Sequence, residues 1–343
     1  MSAEVTSQVP RAIGLLRSDH PQSRTSVQCV SGLAPRYSSK IDGSCALTRV
    51  APPVPIARHG HLAALKALRV SWPPETGVPS AIIDIGVNLT HRSFASDLPA
   101  VLSRARAAGV AHMVVTGTSL SGSTRAVELA TAHPGLLSAT AGVHPHDAKH
   151  WEGDAPARLA KLAERPQVLA IGECGLDFDR DFSPRPVQER CFAAQLELAA
   201  MTGLPVFLHE RSAHARFVEI LAEHRSRLCD AVVHCFTGTK AELHRYLDMD
   251  CHIGITGWIC DERRGLHLRE LVRSIPASRL MIETDAPFLA PRDIKPTPKR
   301  NEPALLAHVA AAVAKARGET VEALAASSTA TACAFFGLKL AAG

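Results

Sequence analysis

Nowhere does the 343-residue chain carry an apolar run close to the roughly 18 to 20 residues that a bilayer span needs. Its N-terminus has no basic segment leading into a compact apolar stretch and a small-residue cleavage site. Together these absences argue against membrane insertion and secretion, and a cytoplasmic location is expected. Nine cysteines are scattered from Cys29 to Cys333, an odd number without a C-x-x-C pair. That lacks the density of a secreted disulfide scaffold, so reduced thiols are expected. Two phosphate-cradling loops are missing as well, G-x-G-x-x-G and G-x-x-x-x-G-K-[ST]. Without them an open doubly wound nucleotide-binding sheet is the weaker of the two α/β readings.

Excess charge is absent from most of the chain. Residues 1–80 hold nine Lys/Arg against four Asp/Glu, and the remaining 29 basic and 29 acidic residues balance. The basic segment is rich in Ser, Pro and Arg, has proline pairs at Pro52-Pro53 and Pro73-Pro74, and sustains no periodicity beyond Leu62 to Val70. It reads as a disordered N-terminal extension, with a targeting or nucleic-acid-grasping arm as the functional alternative. From Ala81 on, a hydrophobic content of 46% in the whole chain is enough to bury a sizeable core.

What residues 81–343 do contain is a repeated unit: a short β-branched apolar run, a polar or glycine-rich loop, then an Ala/Leu-rich stretch at helical spacing. The strand candidates are "AIIDIG", "AHMVVTG", "LLSATAGVH", "VLAIGE", "PVFLHE", "AVVHCF", "CHIGITG" and "RLMIET". Helical stretches between them include Pro99 to Ala108, Ser121 to Ala132, Ala155 to Glu164, Val187 to Thr202 and Ala213 to His224. Strands alternating with helices build parallel sheets through crossovers, and eight such units fit an α/β (β/α)8 TIM barrel.

Most of these runs finish in a titratable group. Asp84 closes "AIID", His144 and His146 follow "ATAGV", Glu173 closes "VLAIGE", His209 closes "PVFLH", His234 closes "AVVH" and Asp285 follows "LMIET". In a barrel the C-terminal strand ends converge on one face, where active sites are built. Carboxylates and imidazoles are costly to bury singly, and a shared metal ion is the simplest partner for such a set. Each histidine alone could equally be a core residue satisfied by a carbonyl; the set with Glu173 and Asp285 favours ligation. Alternation puts Phe207 with His209 and Val232 with His234 on the inward side, and turns Cys174, Cys235 and Glu210 away. An H-E-x-x-H site fails because position 213 is alanine, which leaves His214 as a solvated helix residue.

Seven stretches, in order and with consistent spacing, resemble the TatD family of metal-dependent deoxyribonucleases. They are "DIGVNLT" (84–90), "AGVHPHD" (141–147), "AIGECGLDFDR" (170–180), "HCFTGT" (234–239), "GITGWICDERRG" (254–265), "ETDAPFLAPRD" (283–293) and "KRNEPA" (299–304). The resemblance covers the chain from about Ile82 to its C-terminus and implies a barrel of the amidohydrolase-like type. It implies a divalent-metal-dependent 3′-5′ exonuclease of DNA, preferring single strands, with a role in DNA repair or degradation. Carried over by position, Glu173, His209 and His234 would hold the metal, and Asp285 would be a further ligand or the base that deprotonates the attacking water. His144 and His146 would bind the scissile phosphate. Many members of the wider superfamily carry H-x-H after the first strand; this chain has Gly86, Val87 and Asn88, so a firmly held second metal is not expected. Asn88 could offer an oxygen to a weakly held cation. Family usage implies Mg²⁺, while the mixed O/N donor set suits Mn²⁺ or Zn²⁺.

Arg263 and Arg264, and Lys299 and Arg300, fall on loops after the seventh and eighth strands, where phosphate sites of this architecture gather. Arg300 is accordingly a substrate-binding candidate, with solvated surface charge as the bland alternative. Balanced net charge does not announce a duplex binder, but one strand end needs few cations plus a stacking ring, for which Phe178, Phe236, Trp258 and Phe288 are candidates. RNA is a further candidate substrate. Two other functions stay open on sequence alone: a metal hydrolase of another ester or amide, such as aminoacyl-tRNA, and a silent barrel used as a binding scaffold.

Overall fold

The computed structural model describes residues 69–70 and 81–340. Apart from Arg69–Val70, which pairs in parallel with Lys339–Leu340, the basic N-terminal extension lies outside the described residues. Eight strands follow one another around a single parallel sheet: β1 Ile82–Val87, β2 Val110–Val115, β3 Leu137–Ala141, β4 Val168–Asp177, β5 Val206–Arg211, β6 Ala231–Val233, β7 His252–Ile255 and β8 Leu280–Ile282. Each coincides with one of the apolar runs. The helices are α1 Leu98–Ala107, α2 Leu120–Ala132, α3 Ala155–Ala163, α4 Arg185–Thr202, α5 His214–Arg225, α6 Lys240–Asp248, α7 Leu266–Leu271, α8 Leu306–Arg317 and α9 Val321–Phe336.

Sequence order equals spatial order, so the sheet is the (β/α)8 barrel expected, nearly closed on itself. Three backbone N–H groups bridge its seam. Asp285 N donates to Gly86 O at 2.9 Å, Asn88 N donates to Ala286 O at 2.8 Å, and Thr284 N donates to Asp84 Oδ1 at 2.9 Å. Asp84 therefore lies inside β1, fully buried, and binds across the seam rather than facing the mouth. Burial pushes its carboxyl up to about 8.

Two apolar layers flank the strands. Outside, Met113, Leu137, Ile171, Val206 and Phe217 pack between sheet and helices. Inside, Ile83, Ile85, Val114, Leu169, Phe207, Val232 and Met281 fill the barrel together with Phe335 and Phe336 of α9. The inward positions of Phe207 and Val232 follow the alternation of their strands, and Cys174 is buried in the outer layer as expected. The hydroxyls of Thr329 and Thr331 on α9 donate to Ala81 O and Ala277 O, just before β1 and β8. The helix thereby closes the N-terminal end of the barrel and leaves the other end to the site.

Candidate metal centre and active site

β4 runs four residues past Glu173, so the acid stands within the strand and Asp177 ends it. Glycines make this possible. A Cβ at Gly175 would lie 1.8 Å from His209 O, and the register slips between Gly172 and Cys174. The strand is thus drawn tightly against β5, which aims Glu173 and His209 at the same point.

One carboxylate oxygen is the hub. Glu173 Oε1 lies 2.8 Å from His234 Nε2, 2.9 Å from His209 Nδ1 and 3.3 Å from His144 Nε2. His234 is fixed from behind by Glu283, whose Oε2 is 3.3 Å from Nδ1 and whose other oxygen accepts from Cys235 N. His146 Nε2 is 2.7 Å from Asp177 Oδ2. Asp285 stands at the seam with Asn88 Nδ2 donating to its Oδ1 at 2.9 Å. Sequence reasoning passes over Asp177 and Glu283. Alternation from Met281 would have turned Glu283 inward, whereas Asp177 becomes visible only once the length of β4 is known.

The missing H-x-H has a steric counterpart. A Cβ at Gly86 would lie 2.4 Å from Glu283 Oε2 and 2.9 Å from the Phe207 ring, so Glu283 occupies the room a side chain at position 86 would need.

The charges are mutually dependent. Burial opposes ionisation of Glu173, yet the His234 and His144 rings hold it well below the usual carboxylate range. Burial likewise disfavours a cation at His234, but Glu173 and Glu283 hold it well above the usual imidazole range. Burial pushes His144 down to about 4, so that ring is neutral at pH 7, with its Nδ1 accepting from His146 N at 3.1 Å. Asp285 is pushed up to about 7 by burial.

Donor atoms of His144, Glu173 and His209 all lie within 4.8 Å of one another. Ligands of one divalent ion, each about 2.0 to 2.2 Å from it, have such separations. His209 Nε2 is buried without a partner at hydrogen-bond distance, its nearest acid being Asp177 Oδ2 at 3.6 Å, although a buried polar atom normally has one. The mixed O/N set and this orphaned nitrogen fit a divalent metal. A second trio, Cys260, Asp293 and His308, also has its donors within 4.8 Å, with His308 Nε2 2.8 Å from Asp293 Oδ1.

Other candidates lie elsewhere. Arg300 does not reach the centre: it pairs with Asp97 at 2.8 Å and Glu302 at 2.6 Å and covers the Phe94 ring at 4.6 Å. Two acids flanking it, one of them some 200 residues away in sequence, claim its guanidinium and tie α1 to the loop after β8. Cys235 is half-exposed beside the site instead of turned away, because its backbone is left-handed (φ 47°) and alternation stops there. Glu210 points away, accepting from Tyr246 Oη at 2.9 Å, and the same hydroxyl meets His214 Nδ1, which is therefore not merely solvated. Of the four aromatic candidates, Phe236 is buried, Phe178 and Trp258 are half-buried, and Phe288 is exposed. Exposed Phe182, 4.7 Å from the His146 ring, is a further platform.

Known proteins resemble the chain in sequence and in fold. The family model described as TatD related DNase matches residues 83–337. The curated 3′-5′ ssDNA/RNA exonuclease TatD of Edwardsiella piscicida is 56% identical over 238 residues, covering 69% of this chain and 92% of that protein. Its namesake in Pantoea ananatis is 53% identical over 259 residues, 75% of this chain and all of that protein. The crystal structure of YJJV, a TatD homologue from Escherichia coli k12, superposes with a TM-score of 0.69 at 28% identity, covering 75% of this chain and 98% of that one. With motifs, barrel and relatives in agreement along residues 83–337, the chain belongs to the family of TatD-related DNases.

Proposed function

We propose that the chain is a divalent-metal-dependent 3′-5′ exonuclease that hydrolyses phosphodiester bonds of single-stranded DNA and RNA, with a role in nucleic-acid repair or degradation in the cytoplasm. Membership of the family and relatives named as ssDNA/RNA exonucleases support the reaction. Among the described residues no helix is long and apolar enough to cross a membrane. The observation that carries the reading is the Glu173 carboxylate with three imidazoles around one oxygen and an orphaned His209 nitrogen beside it.

Glu173, His209 and His234 hold the metal in this reading, with neutral His144 close enough to join them. When bound, a divalent ion there neutralises phosphate charge and acidifies a water. The protein's own groups do the rest. Glu283 fixes the orientation of His234, and Asp177 fixes that of His146. Half-buried Asp285, oriented by Asn88, accepts the proton of the attacking water. His144 and His146, their rings 4.3 Å apart, line the mouth where the scissile phosphate enters. Mg²⁺ is the proposed metal, with Mn²⁺ and Zn²⁺ as alternatives favoured by the imidazole donors.

The test is digestion of a 5′-labelled single-stranded oligonucleotide with Mg²⁺, with EDTA, and by His234→Ala. The reading expects a ladder shortening from the 3′ end that needs metal and vanishes in the variant. Intact DNA with every divalent metal would instead favour hydrolysis of another ester or amide, such as aminoacyl-tRNA.

A further inference from the structure

Beside the metal centre, the loops after β7 and β8 enclose a cleft of about 300 Å³ that the reaction as described does not use. This is the size at which small-ligand sites begin. Trp258, Arg264, Pro287, Leu289, Arg292 and Lys299 line it. Pro287 and Leu289 come two and four residues after Asp285, so the cleft lies on the loop that carries the proposed base. Its floor is tightly packed, since a Cβ at Gly257 would lie 2.6 Å from Leu289 O.

The charge of the cleft is one-sided. Asp261 is the acid in its lining, and it is answered twice, by Arg263 at 3.3 Å and by Arg292 at 3.3 Å. The Arg264 guanidinium stands 6.0 Å from the centre of the Trp258 ring. Lys299 is exposed and has no ion-pair or hydrogen-bond partner among the described residues. A half-buried indole beside an unpaired lysine and an arginine that pairs with no acid among the described residues can stack a base while those two cations meet its phosphate. Arg264, Arg292 and Lys299 are exposed at its rim. A polymer can therefore run on past them, which a pocket for a chain's last nucleotide would not require.

We infer that this cleft binds the nucleotide on the 5′ side of the scissile phosphate, Trp258 stacking its base and Lys299 and Arg264 holding its phosphate. The inference rests on the nuclease reading for its orientation, but the binding of single strands can be measured apart from their cleavage.

The experiment is fluorescence anisotropy of a labelled oligothymidylate in EDTA, across a range of salt, alongside steady-state kinetics with metal. Trp258→Ala should weaken binding about tenfold, while Trp258→Phe, which keeps a ring, should largely preserve it. Lys299→Gln should lower the slope of log affinity against log salt by about 0.7, the value for one phosphate contact on a single strand, and Lys299→Arg should restore it. In kinetics both losses should enter KM rather than kcat. Arg158→Glu, a charge reversal on α3 outside the cleft, controls for net charge and should leave the slope unchanged. Wild-type binding that is weakened only by the cleft variants supports the subsite even if no metal elicits cleavage, in which case the nuclease reading alone fails. Cleft variants that bind and cut like wild type, a loss confined to kcat, or a wild-type protein that binds no single strand would overturn it.

Discussion

Along β5 and β6, Phe207 and Val232 point into the barrel and meet Met281 and the α9 rings Phe335 and Phe336. Two residues further on, the same inward faces present His209 and His234, which meet Glu173. One rung of a strand separates a plug from the proposed reaction centre. At the plug, a fully buried large side chain stabilises the fold by roughly 1.5 to 3 kcal/mol. At the mouth, each buried charge is a cost unless another answers it, and the answer here is a ring of mutual dependence around one carboxylate oxygen. The barrel therefore separates stability from chemistry along its own axis, and substitutions should divide accordingly.

The largest effect is expected at the hub. Glu173→Gln removes the charge that holds three imidazoles, and kcat/KM on single-stranded DNA should fall on the order of 10³-fold, with a folded protein by circular dichroism. Asp285→Asn, which keeps the shape but cannot take a proton, should lower kcat by about 10²-fold while oligonucleotide binding persists. At the opposite end, Met281→Ala should cost about 2 to 5 kcal/mol in urea unfolding. If Glu173→Gln instead destabilised the fold as much as Met281→Ala does, the division between the two ends would not hold.

Histidine at a third place sharpens the same contrast. His112 is buried against neutral partners, Gly135 O at 3.1 Å and Ser138 Oγ at 3.0 Å, and burial pushes it down to about 4. Because its folded value lies below the unfolded one, its contribution to stability is present above about pH 6.5 and is lost as pH falls toward 4. The two values imply a loss on the order of 3 kcal/mol over that window. Urea unfolding at pH 7 and pH 4.5 should show a smaller pH dependence in His112→Gln than in wild type; equal slopes would assign the acid sensitivity elsewhere. The smallest effect is expected from removing residues 1–80, which should leave nuclease activity unchanged.

How much of this was legible in the sequence follows from what each residue depends on. The eight strands are readable because each is an apolar run between turn-forming loops, and burial on both faces is written into the run itself. Inward His209 and His234 are readable because alternation is a local rule. Asp84 and Arg300 are not, since their partners, Thr284 and Asp97, lie about 200 residues away and only closure of the barrel brings them near. Asp177 depends on how far β4 extends, which the close approach of Gly175 to β5 decides. Cys235 escapes the rule where its backbone turns left-handed.

A metal centre built on Glu173 is the proposed role of the polar mouth. Anomalous diffraction from crystals of the protein soaked with Mn²⁺ tests it most directly. The account predicts a peak about 2.0 to 2.2 Å from Glu173 Oε1 and from a nitrogen of His209. A mouth without a peak under conditions that support cleavage, or a peak confined to Cys260, Asp293 and His308, would contradict it.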